Sequence, residues 1–568
     1  MGRFRDRLLA GAVPNGASTG TARWAGLGEI AARCDNPRAK PDALEFGVSF
    51  RADGKGYSRR VAKADDRHVN VLAASRDGKG RSMLTRWGSK WPGSFFGIDP
   101  KGEQALLLSR VRAERGQDVT ILDPFGVCAA WHGGEGLGLE GSYNVLDEID
   151  AFDPIACDDI RALATVLIQD EKNDQWWPVQ ARNFVMGLLA LGIYNRDTYL
   201  DHTVSIPDIL DIASMPADKL AVWVDECMVQ FGLQERLGDM VREGGQAYAD
   251  AANSGNTDGC GIIRNTIRKN LGVFGSDPMR AVCRSSELRM GMLKRDPASV
   301  FLVLPVDLIQ SHSAWLRINV HSFIMQLARS KGRPDFQVMG MLDECYNLGT
   351  LDVLKMAVSL MAGEGLKLVT VWQDIAQMKE RYPDSWETFF QNAGTTVVLG
   401  IEDNSTCEYI SRWCGQTLER RTFKAVRWFG RNSFNLTAKL AQLNMRLSPP
   451  ARQTVPLIRE EELRRLTSSY QGGALVKLRG CHWIRVWREN YDQVLVEGRD
   501  YDRHPAFGSP RLSMWQRVKV IVWPPLDEIE AEDSPALLTY DEPDDDADDL
   551  AEWQEMVEDS RPIEERAA

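Results

Sequence analysis

The sequence predicts an α/β protein with a mostly parallel central sheet, interrupted by an all-α insertion. Short apolar runs that end in polar loop residues recur about every 25 residues from Val69 onward, the rhythm of βαβ units. A helix-rich stretch with hardly any β-branched alternation, Ile206 to Arg284, breaks this series, and the apolar runs then return.

The first strands are predicted at Val69-Asn-Val-Leu72, Ser94 to Asp99 and Asp118 to Asp123. Residues 158–195 read as helix, with Leu163, Val166 and Leu167 on one face and a second amphipathic stretch from Val179 to Leu191. After the insertion, placed at 200–284, the sheet resumes with Ser299 to Leu304, Gln337 to Leu342, Leu366 to Val371 and Thr395 to Leu399. Residues 61–199 and 285–526 are thus two parts of one α/β domain. The N-terminal segment 1–60 is rich in Gly, Ala, Arg and Pro with little periodicity and is expected to be loosely ordered. Residues 527–568 form an acidic tail expected to be too polar to fold alone.

With 568 residues, 43% of them apolar, the chain has the composition of a large globular protein rather than a membrane bundle. Its longest promising apolar run, Phe184 to Tyr194, falls well short of the roughly 20 residues a spanning helix needs. No signal-peptide core follows the basic N-terminus, so a cytoplasmic location is expected. The ten Cys and seven His form no zinc pattern. The net charge of -12 is uneven: the tail holds 18 Asp and Glu against two Arg, so the preceding residues carry +4 and a nucleic-acid partner stays open.

The first strand runs into Ser75-Arg76-Asp77-Gly78-Lys79-Gly80-Arg81-Ser82 and then a helix start. Glycines there let backbone N–H groups converge on phosphate oxygens, and the helix N-terminus favours the anion. Asp77 would bring a negative charge towards that anion, and a surface turn is the plain alternative reading. A second apolar strand ends in Asp343-Glu344 and a third in Gln373. Such carboxylates suit Mg²⁺ binding and orientation of an attacking water, while helix capping is their ordinary alternative. Further on, Arg420, Arg421, Phe423, Lys424, Arg427, Trp428 and Arg431 interleave cations with aromatic rings. That composition suits phosphate contact with base stacking, or equally a solvated loop.

Taken with Gly20-Thr-Ala-Arg-Trp-Ala25, Trp91-Pro-Gly-Ser-Phe-Phe-Gly-Ile-Asp-Pro-Lys-Gly-Glu103, Asp123-Pro-Phe-Gly126, Tyr143-Asn-Val-Leu146, Gln373-Asp-Ile-Ala-Gln377 and Leu457 to Leu466, these motifs make the chain resemble the type IV secretion coupling proteins, the TraG-like conjugative ATPases. The resemblance implies a RecA-like P-loop NTPase domain with an all-α recognition domain at 200–284. It also implies ATP and Mg²⁺ as cofactors. Ser75 to Ser82 would form the phosphate loop, Lys79 would clamp the β/γ-phosphates, and Ser82 and Asp343 would serve the metal. Glu344 would orient the water and Gln373 would sense the γ-phosphate. The implied partners are secretion-channel components, relaxosome or effector cargo, single-stranded DNA and further copies of the chain in a hexamer. Family members carry membrane helices before the Gly20 motif, which only about 19 residues precede here, short of a roughly 20-residue span. The chain therefore resembles either a soluble coupling ATPase or one that docks, peripherally at the inner membrane, onto a separately encoded membrane partner; a truncated member would read the same way. A non-hydrolysing substrate receptor and a DNA-segregation or packaging motor are the alternatives.

Overall fold

The computed structural model describes residues 21–50, 57–169, 176–198, 204–233, 236–253, 259–420 and 452–504. Its strands are β1 (Leu44–Phe50), β2 (Tyr57–Lys63), β3 (His68–Ala73), β4 (Phe95–Asp99), β5 (Asp118–Leu122), β6 (Ala298–Val303), β7 (Val338–Leu342), β8 (Leu366–Trp372), β9 (Ala393–Leu399), β10 (Gln416–Arg420), β11 (Arg452–Pro456), β12 (Gly473–Leu478) and β13 (Ile484–Trp487). Eleven of them form one sheet in the order β2-β1-β13-β12-β9-β3-β8-β7-β4-β6-β5, and β10 pairs with β11 in a separate hairpin.

From β9 to β5 every pairing is parallel. Strands buried on both faces need apolar side chains in both directions, so they read as continuous apolar runs. β3, β4, β7, β8 and β9 are buried throughout. On one face Val69, Val71 and Ala73 pack with Met83, Trp87 and Leu108. On the other, Leu72, Phe96 and Leu342 join Leu163, Trp315 and Leu354 of the helices Ala156–Leu167, Ser313–Arg329 and Asp352–Leu360.

The helical insertion contains Ile206–Ala213, Ala217–Val224, Arg236–Asn253, Gly259–Leu271 and Asp277–Val282. It packs on Trp176–Thr198, which lies before position 200 in sequence. The two long helices approach closely where Gly187 meets Gly244: a Cβ on Gly187 would sit 2.9 Å from Gly244 Cα.

One expectation needs correction. The N-terminal segment is not uniformly loose, since β1 and β2 lie within or overlap 1–60 and extend the sheet through antiparallel pairing of β1 with β13. Its alternation, Leu44-Glu-Phe46-Gly-Val48-Ser-Phe50, is that of a strand. Gly47 sits inside it because a Cβ there would lie 2.2 Å from Trp487 O. The sequence reading also passed over the β12–β13 hairpin, although Ala474-Leu-Val476 is a short apolar run; the hairpin joins β1 to β9 by antiparallel pairing. No helix among the described residues is long and apolar enough to cross a membrane.

Candidate active site

β3, β8 and β7 lie side by side and run parallel, so their C-terminal ends open onto the same edge of the sheet. Ligands of open α/β sheets collect at this edge. After β3 the chain turns through Ser75 and Arg76, with Arg76 at φ 68° and Gly78 at φ 74°. Left-handed backbone at two of three residues curls the loop back on itself before the helical turn begins at Lys79. A Cβ built on Gly78 would meet nothing within 4 Å, and one on Gly80 would meet only Glu103 Oε2 at 4.0 Å, so the mouth of the loop is open. The helix that follows, Gly80–Leu84 running into Thr85–Lys90, points its first N–H groups at that opening.

Lys79 lies across the mouth. Its ammonium is 2.8 Å from Asp343 Oδ1 and 2.8 Å from Glu344 Oε1, and Gln373 Nε2 donates to Glu344 Oε2 at 2.8 Å. Four side chains from three strand ends thus converge on one point. Burial works against the Lys79 charge, but the two carboxylates outweigh it and hold the ammonium above the ordinary lysine range. Glu344 adopts φ 66°, a left-handed conformation uncommon for a residue with a Cβ. That backbone turns its carboxylate towards both Lys79 and Gln373, a local strain of the kind found at working sites.

Beside β7, Asp99 ends β4, where Ile98 registers with Leu342. Its Oδ2 accepts the Ala105 N–H at 2.8 Å, and burial, with Glu103 and Asp343 near, pushes its carboxyl up to about 7. Sequence reasoning had taken Asp99 only as part of a motif; its place at a buried strand end was the available signal.

The other residues of the loop divide. Ser75 and Arg76 are exposed, and Arg81 turns away to pair with Asp492, Nε to Oδ1 at 3.1 Å. Ser82 is 4% exposed and its Oγ donates to Gly78 O at 2.8 Å, bracing the loop from within. The expectation that Asp77 directs negative charge at the site is overturned. Its Oδ1 accepts the Ser469 N–H at 3.2 Å, and the side chain fills the space over Gly400, where a Cβ would come within 2.1 Å of Asp77 Cγ. Of the basic and aromatic stretch, Arg420 contributes backbone to the end of β10, and Arg421, Phe423, Lys424, Arg427, Trp428 and Arg431 lie outside the described residues. So does the acidic tail.

Among the described residues no group of three or more His, Cys, Asp or Glu side chains is arranged to hold a metal. Mg²⁺, however, rarely needs such a cage; it keeps waters and takes one or two carboxylates plus substrate phosphates. Asp343 fits that role, because its Oδ1 is shielded from solvent and Lys79 is the cation beside it.

The open glycine loop, the lysine across its mouth, the acidic strand end and a strand inserted between them give the architecture of a RecA-like P-loop α/β domain, with a helical insertion. The family model for type IV secretory system conjugative DNA transfer matches residues 18–491, and the chain belongs to that family. It is 24% identical over 479 residues to protein VirD4 of Agrobacterium fabrum, covering 83% of this chain and 65% of that protein. To the conjugal transfer protein TraG of Escherichia coli it is 25% identical over 426 residues, covering 70% and 64%. The chain thus spans under two thirds of the length of these relatives. Among solved structures, the conjugative coupling protein TrwBdeltaN70 with sulphate aligns with a TM-score of 0.58 at 15% identity, over 88% of this chain and 99% of that one. TrwB with ADP and Mg²⁺ aligns with a TM-score of 0.57 at 14% identity, over 87% and 99%. At these identities the structural likeness concerns the fold.

Proposed function

We propose that the chain is an ATP-hydrolysing coupling protein that brings DNA, nucleoprotein or protein cargo to a type IV secretion channel. The observation that carries this is the convergence of Lys79, Asp343, Glu344 and Gln373 at one sheet edge in front of an open glycine loop. Family membership, and relatives named for conjugal transfer, support the cargo class.

In the present geometry Lys79 is paired with both carboxylates. Arrival of a polyphosphate gives its ammonium a better anion, so it leaves Asp343 and Glu344 and clamps the β/γ-phosphates. N–H groups around Gly78 and Gly80 hold the phosphate oxygens. Asp343, freed of Lys79, would hold Mg²⁺, which supplies charge neutralisation at the phosphates. Glu344 would then accept a hydrogen bond from the attacking water and orient it in line. Gln373, already bonded to Glu344, would register whether the γ-phosphate is there. TrwB structures with ADP and Mg²⁺ and with a non-hydrolysable ATP analogue support the same ligands for this site.

The proposed setting is the cytoplasmic face of the inner membrane, with assembly into a hexamer. Single-stranded DNA is the proposed nucleic acid, held through phosphate charge. Steady-state ATP turnover by the purified full chain, with and without single-stranded DNA, tests the reading: Mg²⁺-dependent hydrolysis raised by DNA is expected. Absence of hydrolysis in a chain that binds ATP would favour a non-hydrolysing receptor. DNA binding should also weaken steeply with salt through counterion release.

A further inference from the structure

Arg488 follows β13 and is 6% exposed, yet among the described residues no carboxylate takes its guanidinium. It donates instead to three backbone carbonyls: Nη1 to Asp77 O at 2.6 Å, and Nη2 to Thr467 O at 3.3 Å and Ser468 O at 3.2 Å. Its Nε finds no acceptor among the described residues, and burial lowers its pKa despite the nearby Asp77. A buried cation so placed is costly, and carbonyl contacts only partly offset the loss of water. What the arrangement achieves is a fixed spacing between two stretches of chain, because the planar fork of the guanidinium locks both at once.

One of those stretches is the phosphate loop. Asp77 immediately precedes Gly78 and Lys79, and it is held from three sides. Arg488 takes its carbonyl, the Ser469 N–H binds its carboxylate, and Gly400, at the end of β9, leaves room for its side chain. Gly400 N in turn donates to Thr467 O at 2.8 Å, and Arg488 N to Gly472 O at 2.8 Å. Hence the end of β9, the 467–472 turn and the end of β13 close a bracket around the residue from which the loop curls.

We propose that Arg488 is a positioning residue for the phosphate loop and that Asp77 is the loop's anchor, so that nucleotide affinity depends on the antiparallel hairpin as well as on the parallel strands. This rests on the reading of the loop as a nucleotide site. The carboxylate of Asp77, which as a bare charge beside polyphosphate would weaken binding, strengthens it by holding the loop open at the right curvature. Helix Glu460–Thr467 leads from β11 into the same turn. Movement at the β10–β11 hairpin therefore has a short route to the loop.

The test titrates the full chain with a fluorescent ATP analogue and Mg²⁺, measures steady-state ATP turnover, and follows thermal unfolding in parallel. Asp77→Ala should weaken binding about tenfold, the size of one lost hydrogen bond to a charged group. Asp77→Asn keeps an oxygen for the Ser469 N–H and should recover most of that loss. Arg488→Lys keeps the charge without the fork and should raise KM for ATP about tenfold while kcat changes less than about threefold, since it touches no reacting atom. A purely packing role would lower the unfolding temperature and leave KM of the folded molecules unchanged. Tighter binding by both Asp77 variants, or wild-type affinity in folded Asp77→Ala, would overturn the bracket. Loss of the fold in Arg488→Lys leaves the Asp77 pair to decide. If the wild-type chain itself binds no ATP, the nucleotide reading and the bracket both fail; if it binds and the variants match it, the bracket alone fails.

Discussion

In the parallel half of the sheet, β3, β7 and β8 each deliver a side chain to a single point: Lys79 from the loop after β3, Asp343 and Glu344 after β7, Gln373 after β8. The antiparallel half, β12, β13, β1 and β2, meets the same loop through the Arg488 fork and the Ser469 amide, both directed at Asp77. Parallel strands whose ends share an edge can gather charged groups without further support. Antiparallel strands place neighbouring ends at opposite edges, so what they add here is a clamp on the backbone. The gathered charges and the clamp on the loop thus come from different halves.

Replacement of Glu344 by Gln probes the parallel half alone and should have the largest effect. Glu344→Gln is expected to keep ATP affinity yet cut turnover by about 10²-fold or more, as for loss of a water-orienting group. Hydrolysis at the wild-type rate would place the catalytic carboxylate elsewhere.

Gly47→Ala strikes the antiparallel half where β1 crosses β13. With φ 131° and a carbonyl 2.2 Å from the new Cβ, the strand must shift. The unfolding temperature should drop by about 3–8 °C, measured by calorimetry or fluorescence. An unchanged transition would mean that the pairing of β1 with β13 is dispensable.

A smaller effect is expected at Asp99. Its carboxyl is raised by burial to about 7 from an ordinary 3.8, so the folded chain holds a proton that the unfolded chain releases. The stability this group contributes is present at low pH and is lost progressively as pH rises from about 4 to about 7. Asp99→Asn removes that dependence. The fall in unfolding temperature between pH 5 and pH 8 should be shallower in the variant than in the wild type; equal slopes would mean that Asp99 is ionised in the folded protein at both.

How legible all this was in the sequence follows the same division. β3 to β9 announce themselves because burial on both faces demands continuous apolar runs, and Lys79, Asp343, Glu344 and Gln373 are recognisable as polar residues that end such runs. β2, with Arg59, Arg60 and Lys63 on an edge, has no such requirement. Arg488 reads as one more cation in Arg485-Val-Trp-Arg488-Glu, and its partner Asp77 lies 411 positions away. Nothing local in Asp77 shows that its carboxylate is occupied by a distant amide, so its charge alone suggested repulsion of phosphate.

The central claim is that the loop from Gly78 to Ser82 holds a nucleotide whose phosphates replace the carboxylates at Lys79. It is tested most directly by calorimetric titration of the full chain with a non-hydrolysable ATP analogue and Mg²⁺, beside the folded Lys79→Ala variant. The account expects saturable binding in the wild type and none in the variant, whose unfolding temperature should fall because Asp343 and Glu344 are left without their cation, so the titration is run below the variant's own transition. Equal affinity in the two proteins would contradict it.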